Sequence, residues 1–221
     1  MRFLVVDGET CNTPVVDGQL EYHDGQVYDL GGKVIDEYGK VYDQFDIVIE
    51  DVFFGMNEQM QDAYYASKIP QYLVDMRMGQ RKIMGIWDAY HLVRDMMKKW
   101  DINVVVAHNA RFDITTLNST LRYQTKSRKR YFFPYGTRVV DSMKVARKVL
   151  KDSEEYKAFC STNGYMTNQK SPRPRYTAEV LWRYFSGDNS FNEAHTGLAD
   201  VEIESQIFTQ CLEALRCKAS A

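Results

Sequence analysis

The sequence predicts an α/β domain: a mixed five-stranded sheet, three antiparallel strands first and parallel strands after them, flanked by helices. Three observations carry this. Residues 3–6 are a continuous apolar run that ends at Asp7-Gly8, the pattern of a central strand buried on both faces. Residues 28–36 and 40–49 are strand-like and flank Asp36-Glu37-Tyr38-Gly39, a turn that makes them a hairpin and, with the first strand, an antiparallel meander. Beyond residue 83, helical and strand patterns alternate, which places helices against the sheet.

The remaining elements follow in order. Residues 53–81 are rich in Met, Tyr and Gln, have no clean period, and read as an elaborated segment. Ile83, Ile86, Tyr90, Val93 and Met97 recur at steps of three and four, so an amphipathic helix is expected from residue 83 to about Trp100. Residues 103–107 (Asn-Val-Val-Val-Ala) form a second buried strand, followed by a helix over 111–121. Val139-Val140 is a short strand leading into a helix over 142–150. Residues 154–174 read as a loop or cover, because Ser171-Pro172-Arg173-Pro174 breaks a helix. Residues 177–185 are helical, 186–193 a loop, and 197–217 the last helix. Residues 1–221 are read as one domain, a length able to bury roughly 70% of the surface of the unfolded chain.

Composition excludes several classes. Hydrophobic content of 44% with 26% charged residues is that of a globular chain. The net charge of −2 shows no bulk electrostatic attraction to nucleic acid, though bound cations can offset carboxylates locally. Cys11, Cys160, Cys211 and Cys217 form no CxxC pair and read as free thiols. The N-terminal apolar run meets an acid after four residues, unlike a signal peptide, and no stretch reaches the ~20 apolar residues of a membrane span. A cytoplasmic protein without a membrane partner is expected.

The chemistry concentrates in three places. Asp7 and Glu9 lie two apart at a strand end, so both carboxylates share a face; paired acids repel unless a cation lies between them, although Asp-Gly is also a common turn. Asp113 falls in the first turn of the helix after strand 103–107, where an acid also suits the helix dipole. It comes near Asp7 if the two strands adjoin. Asn109 is expected to cap that helix and Phe112 to anchor it in the core or to wedge near a substrate. His195 and Asp200 are five apart, ~140° around one helix, so His195 belongs on the loop before it, with Thr196 as cap.

Taken together, Val5-Val6-Asp7-Gly8-Glu9-Thr10, Ala107-His108-Asn109-Ala110-Arg111-Phe112-Asp113 and Ala194-His195-Thr196-Gly197-Leu198-Ala199-Asp200 resemble the three motifs of the DEDDh family of 3′–5′ exonucleases. That family is part of the ribonuclease H-like superfamily and includes polymerase proofreading subunits, ribonuclease T and oligoribonuclease. Val139-Val140-Asp141-Ser142 resembles the family's strand-and-Asp step. One departure is that Thr10 is followed by Cys11-Asn12 where the family often has Gly. The resemblance implies a ribonuclease H-like fold and two divalent ions, Mg²⁺ or Mn²⁺, held by Asp7, Glu9, Asp113 and Asp200. It implies that His195 orients and deprotonates the attacking water. Gly8, Thr10, Asn109 and Phe112 would contact the terminal nucleotide. The implied activity is release of nucleoside 5′-monophosphates from the 3′ end of single-stranded DNA, or of RNA by the same chemistry. A polymerase or replication partner would be in keeping with the proofreading relatives. A non-catalytic binding module on this fold should lack acids or the histidine, and all five are present.

Two further features stay open at this level. Arg122, Lys126, Arg128, Lys129 and Arg130, flanked by Tyr123 and Tyr131, suit a single strand but equally a solvated loop. Met56, Met60, Met76, Met78 and Met84 suit soft core filling or an adaptable partner surface.

Overall fold

A computed structural model describes residues 1–20 and 25–219. In chain order it contains β1 (Arg2–Cys11), the two-residue strands β2 (Val15–Val16) and β3 (Gln19–Leu20), β4 (Gln26–Asp36) and β5 (Val41–Ile49). Then come α1 (Glu50–Phe53), α2 (Asn57–Gln61), a 3₁₀ turn (Ala66–Lys68), α3 (Ile69–Arg77), β6 (Lys82–Met84), α4 (Ile86–Lys99), β7 (Val104–Ala107) and α5 (Arg111–Thr125). The chain closes with β8 (Arg138–Asp141), α6 (Ser142–Leu150), α7 (Glu154–Thr162), α8 (Ala178–Ser186) and α9 (Gly197–Ala219).

The main sheet is six-stranded in the order β6-β5-β4-β1-β7-β8. The meander β1-β4-β5 is antiparallel, and β7, β8 and β6 pair parallel to their neighbours. The expected mixed sheet is present, with one strand more. That strand, β6, is a three-residue edge strand beside β5. Its Ile83 fits the spacing of α4, so sequence periodicity assigned it to the helix; the helix instead starts at Ile86, whose N–H donates to Asp51 Oδ2 at 2.6 Å.

β1 lies mid-sheet because both of its faces are covered. Leu4 and Val6 enter the core shared with α4 and α5, whereas Phe3 and Val5 pack with Val201 and Phe208 of α9. Strand alternation carries the second register onward, so Asp7 and Glu9 emerge on the α9 face. A bulge after Glu9 ends that regularity.

α9 can approach the sheet this closely because two glycines meet. A Cβ on Gly31 of β4 would lie 2.1 Å from the Gly197 carbonyl carbon, and one on Gly197 would lie 2.5 Å from the Gly31 nitrogen. Gly31 is the register partner of Asp7. The contact therefore seats the start of α9 beside the end of β1.

Residues 154–174 are not wholly a loop. α7 begins at Ser153, whose hydroxyl accepts from Tyr156 N at 3.1 Å, with Glu154 and Glu155 in the first turn. Its buried Tyr156 and Cys160, one turn apart, join α6, α8 and α9 in a second core. The two prolines break the chain only after this helix. The elaborated segment is mostly short helices: Met56 and Met60 are buried, so these two fill core, while Met78 is exposed.

Candidate active site

The motif residues converge at the carboxyl ends of β1 and β7. Asp7 and Glu9 come from β1, Asp113 from the first turn of α5, and Asp200 from the first turn of α9. His195 lies on the loop before α9, and its backbone N–H donates to Asp200 Oδ1 at 3.1 Å. Glu9, His195 and Asp200 each offer a ligand atom within 4.8 Å of the others, a spacing that fits a divalent ion.

The electrostatics gather four buried carboxyls whose charged forms are disfavoured. Burial, then Glu204, Asp113, Asp200 and Glu9, push the Asp7 carboxyl well above the usual range. Burial first, then Glu193 and Glu9, lifts Asp200 to about 8. Burial raises Glu9 to about 7, with Asp29 adding to it and Lys68 opposing it. Burial also raises Asp113 to about 7, against a hydrogen bond from the Gly8 backbone. Four acids held this way repel one another, and a proton or a divalent cation relieves them. The residues present thus fit the implied metal ions.

Two more acids belong to the cluster and were not singled out from the sequence. Glu204 sits one helical turn after Asp200 on the same face of α9, is 3% exposed, and its Oε2 has no hydrogen-bond partner among the described residues. Glu193 lies 3.9 Å from His195 Nδ1, and its carboxyl is raised to about 7 by burial and then Glu179. The i, i+4 step from Asp200 could have marked Glu204; nothing local marked Glu193.

His195 adopts φ +51°, a left-handed conformation that costs roughly 1–3 kcal/mol unless its surroundings hold it. Four contacts hold it. Asp200 takes its N–H. Gly197 N donates to Asp29 Oδ2 at 2.8 Å, Lys68 Nζ donates to the Ala194 carbonyl, and the Tyr65 ring stacks on the imidazole at 4.4 Å and 15°. Asp29 is itself locked: Tyr72 OH donates to it at 2.6 Å and Arg81 Nη1 at 2.9 Å, and Arg81 also pairs with Asp46 and Asp75. Burial, then Lys68, lowers the His195 pKa, so the ring is neutral at neutral pH.

The other expected positions divide. Thr196 precedes α9, and its carbonyl accepts from Asp200 N at 2.9 Å. Asn109 does not cap α5: it has φ +65°, the cap position is Ala110, and that position makes no side-chain cap bond. Phe112 does not anchor the core, being 46% exposed beside the site. Thr10 is half-buried after the bulge and Gly8 is buried against β4. His108, in the second motif, works structurally: Nε2 donates to the Tyr176 carbonyl at 2.7 Å and Nδ1 meets Ser142 Oγ at 3.0 Å. The basic run lies at the far end of α5, ~20 Å along the helix from Asp113, and is not brought into the cluster.

No protein-family model matches the chain, and no curated protein matches it by sequence. Solved structures do match. The nuclease domain of 3′hExo, described as a DEDDh family member bound to rAMP, superposes with a TM-score of 0.56 at 11% identity, covering 96% of this chain and 92% of that one. A 3′-exonuclease recognising the histone mRNA stem-loop gives 0.58 at 11% identity over 96% of this chain, which spans 63% of that chain's length. Exonuclease I of E. coli, in complex with a dT13 oligonucleotide, gives 0.51 at 13% identity, covering 95% of this chain and 40% of that one. Among the described residues no helix is long and apolar enough to cross a membrane. The sheet order, the seating of α9 on β1 and these superpositions together give the chain the fold of the DEDDh-family 3′-exonucleases.

Proposed function

We propose that this protein is a metal-dependent 3′–5′ exonuclease that removes nucleoside 5′-monophosphates from the end of single-stranded DNA. The observation that carries the reading is the convergence of Asp7, Glu9, Asp113 and Asp200 with a neutral His195 at the carboxyl ends of the two central strands β1 and β7. Asp7, Glu9, Asp113 and Asp200 would hold two divalent ions, Mg²⁺ or Mn²⁺. Such ions, when bound, neutralise phosphate charge and acidify water. His195, neutral and 35% exposed, accepts a proton from the attacking water. The water oxygen bonds to phosphorus as the bond from phosphorus to the 3′ oxygen breaks. The shortened strand leaves with a 3′-hydroxyl, the departing oxygen taking up a proton from solvent. Phe112, exposed at the start of α5, offers a ring to the terminal base, and Thr10 and the Asn109 backbone border the same place.

RNA is a second reading, supported by the neighbour bound to rAMP and the neighbour that recognises an mRNA stem-loop. Matched 5′-labelled DNA and RNA single strands, digested with Mg²⁺, Mn²⁺ or EDTA beside Asp7→Ala, test both. The expected result is a metal-dependent ladder shortening from the 3′ end, absent in the variant, and the faster substrate decides between DNA and RNA. A folded, metal-binding parent that leaves both strands intact would overturn the proposal.

A further inference from the structure

The elaborated segment between β5 and β6 forms one wall of the site, and this wall bears on the histidine. Tyr65 lies face to face with the His195 ring, 4.4 Å between centroids and 15° between planes. Three residues on, Lys68 donates to the carbonyl of Ala194, which immediately precedes His195. Further along, Tyr72 and Arg81 fix Asp29, which binds Gly197 N two residues after His195. Residues of one segment thus hold the histidine loop before, at and after His195. The loop needs holding: His195 is left-handed, its ring has no hydrogen-bond partner among the described residues, and only the salt-bridge-range contact with Glu193 reaches Nδ1. A stacking ring restrains the imidazole plane while leaving both ring nitrogens open to accept or donate a proton.

We infer that Tyr65 is a positioning residue for His195, its ring stacking on the imidazole and holding it at the angle needed for proton transfer, with Lys68 clamping the preceding peptide. The inference rests on the exonuclease reading above. It assigns to the elaborated segment a role in the chemistry beyond filling core. The phenol hydroxyl has no part in the restraint, so phenylalanine should replace tyrosine, whereas an aliphatic residue should not.

The test compares Tyr65→Phe, Tyr65→Leu and Tyr65→Ala with the parent on a single-stranded oligonucleotide with Mg²⁺ or Mn²⁺, and records the His195 ring resonances of the metal-free proteins by NMR. Misplacing a catalytic group by about 1 Å can cost ~100-fold. For Tyr65→Ala and Tyr65→Leu the expected result is therefore a kcat lowered about 10- to 100-fold with KM and Tm unchanged. Tyr65→Phe should restore kcat. The His195 ring protons should carry an upfield ring-current shift in the parent and Tyr65→Phe and lose it in the other two. Unchanged kcat in Tyr65→Ala would overturn the inference. So would a raised KM at constant kcat, which would make Tyr65 a base-stacking residue, or a raised kcat, which would make it a cover. If the parent degrades no strand, the exonuclease reading fails and the positional role fails with it, while the ring-current shift still reports whether the stack exists in solution.

Discussion

Each acid of the site has a burial and a charge environment that disfavours its bare carboxylate, and substitutions should separate folding from function. Asp200→Asn removes a carboxylate raised to about 8 by burial and its neighbours. We expect activity to fall at least about 100-fold and the metal-free protein to keep or gain stability, because a neutral isostere no longer repels Glu9 and Glu193. Glu204→Gln should act similarly on stability and should also shrink the Tm gain on adding Mn²⁺; an unchanged gain, read by thermal melts with and without the ion, would place Glu204 outside the cation's reach. His195→Gln should keep that gain while lowering kcat roughly 100-fold or more, the range of a lost general base. The acids of the three motifs were legible in the sequence because each sits at a strand end or helix start that local patterning reveals. The cap expected at Asn109 and the core anchor expected at Phe112 are not made. A left-handed Asn109 turns the peptide without capping, and the turn leaves Phe112 facing solvent.

At the level of elements, the site depends on how α9 docks. Gly31→Ala would drive a methyl group into the Gly197 backbone, where neither side can yield cheaply. Overpacking of this kind costs roughly 1–3 kcal/mol, and α9 must shift away from Asp7 to accommodate it. A folded variant with near-normal Tm and full activity would show that the close contact is dispensable. Asp29→Ala tests the other tether. It leaves buried Arg81 with fewer partners and strands the Gly197 N–H, so we expect a loss of about 3–5 kcal/mol in chemical denaturation, the range for a broken buried pair. These tethers come from β4 and from the segment before β6, both more than 100 residues away from α9 in the chain. No local pattern announces them. The strand β6 and helix α7 were misread for a related reason: three residues are too few to show a strand period, and two prolines after α7 masked the Ser153 cap before it.

For the molecule as a whole, the raised acids make stability depend on pH in a definite direction. Glu9, Asp113 and Glu193 at about 7 and Asp200 at about 8 stand above unfolded values of 3.8 to 4.5, so the folded chain binds more protons between those limits. Stability from these groups is full below the unfolded values and is lost as pH rises through the folded ones. Asp46, raised to about 7, and Asp7 and Glu204, raised well above their usual range, act in the same sense; the lowered His108 and His195 act in the opposite sense, two groups against seven. In EDTA, Tm should therefore fall from pH 5 to pH 8 by roughly 5 °C or more, and Mg²⁺ or Mn²⁺ should restore it most at pH 8, where the ion competes with fewest protons. A flat or rising Tm over that window would mean the acids do not converge as described.

What the amino-acid sequence determined by itself was the mixed sheet, the order of the main elements and the placing of the three motifs at strand ends and helix starts. Apolar runs, period-two strands and helical spacing are local properties, and the motif acids fall at their ends. Only the tertiary structure decided that Glu204 and Glu193 join those acids, that Gly31 admits α9 against β4, and that Tyr65 and Lys68 reach the histidine loop. Those contacts link residues far apart in the chain through packing, and packing leaves no period in the sequence.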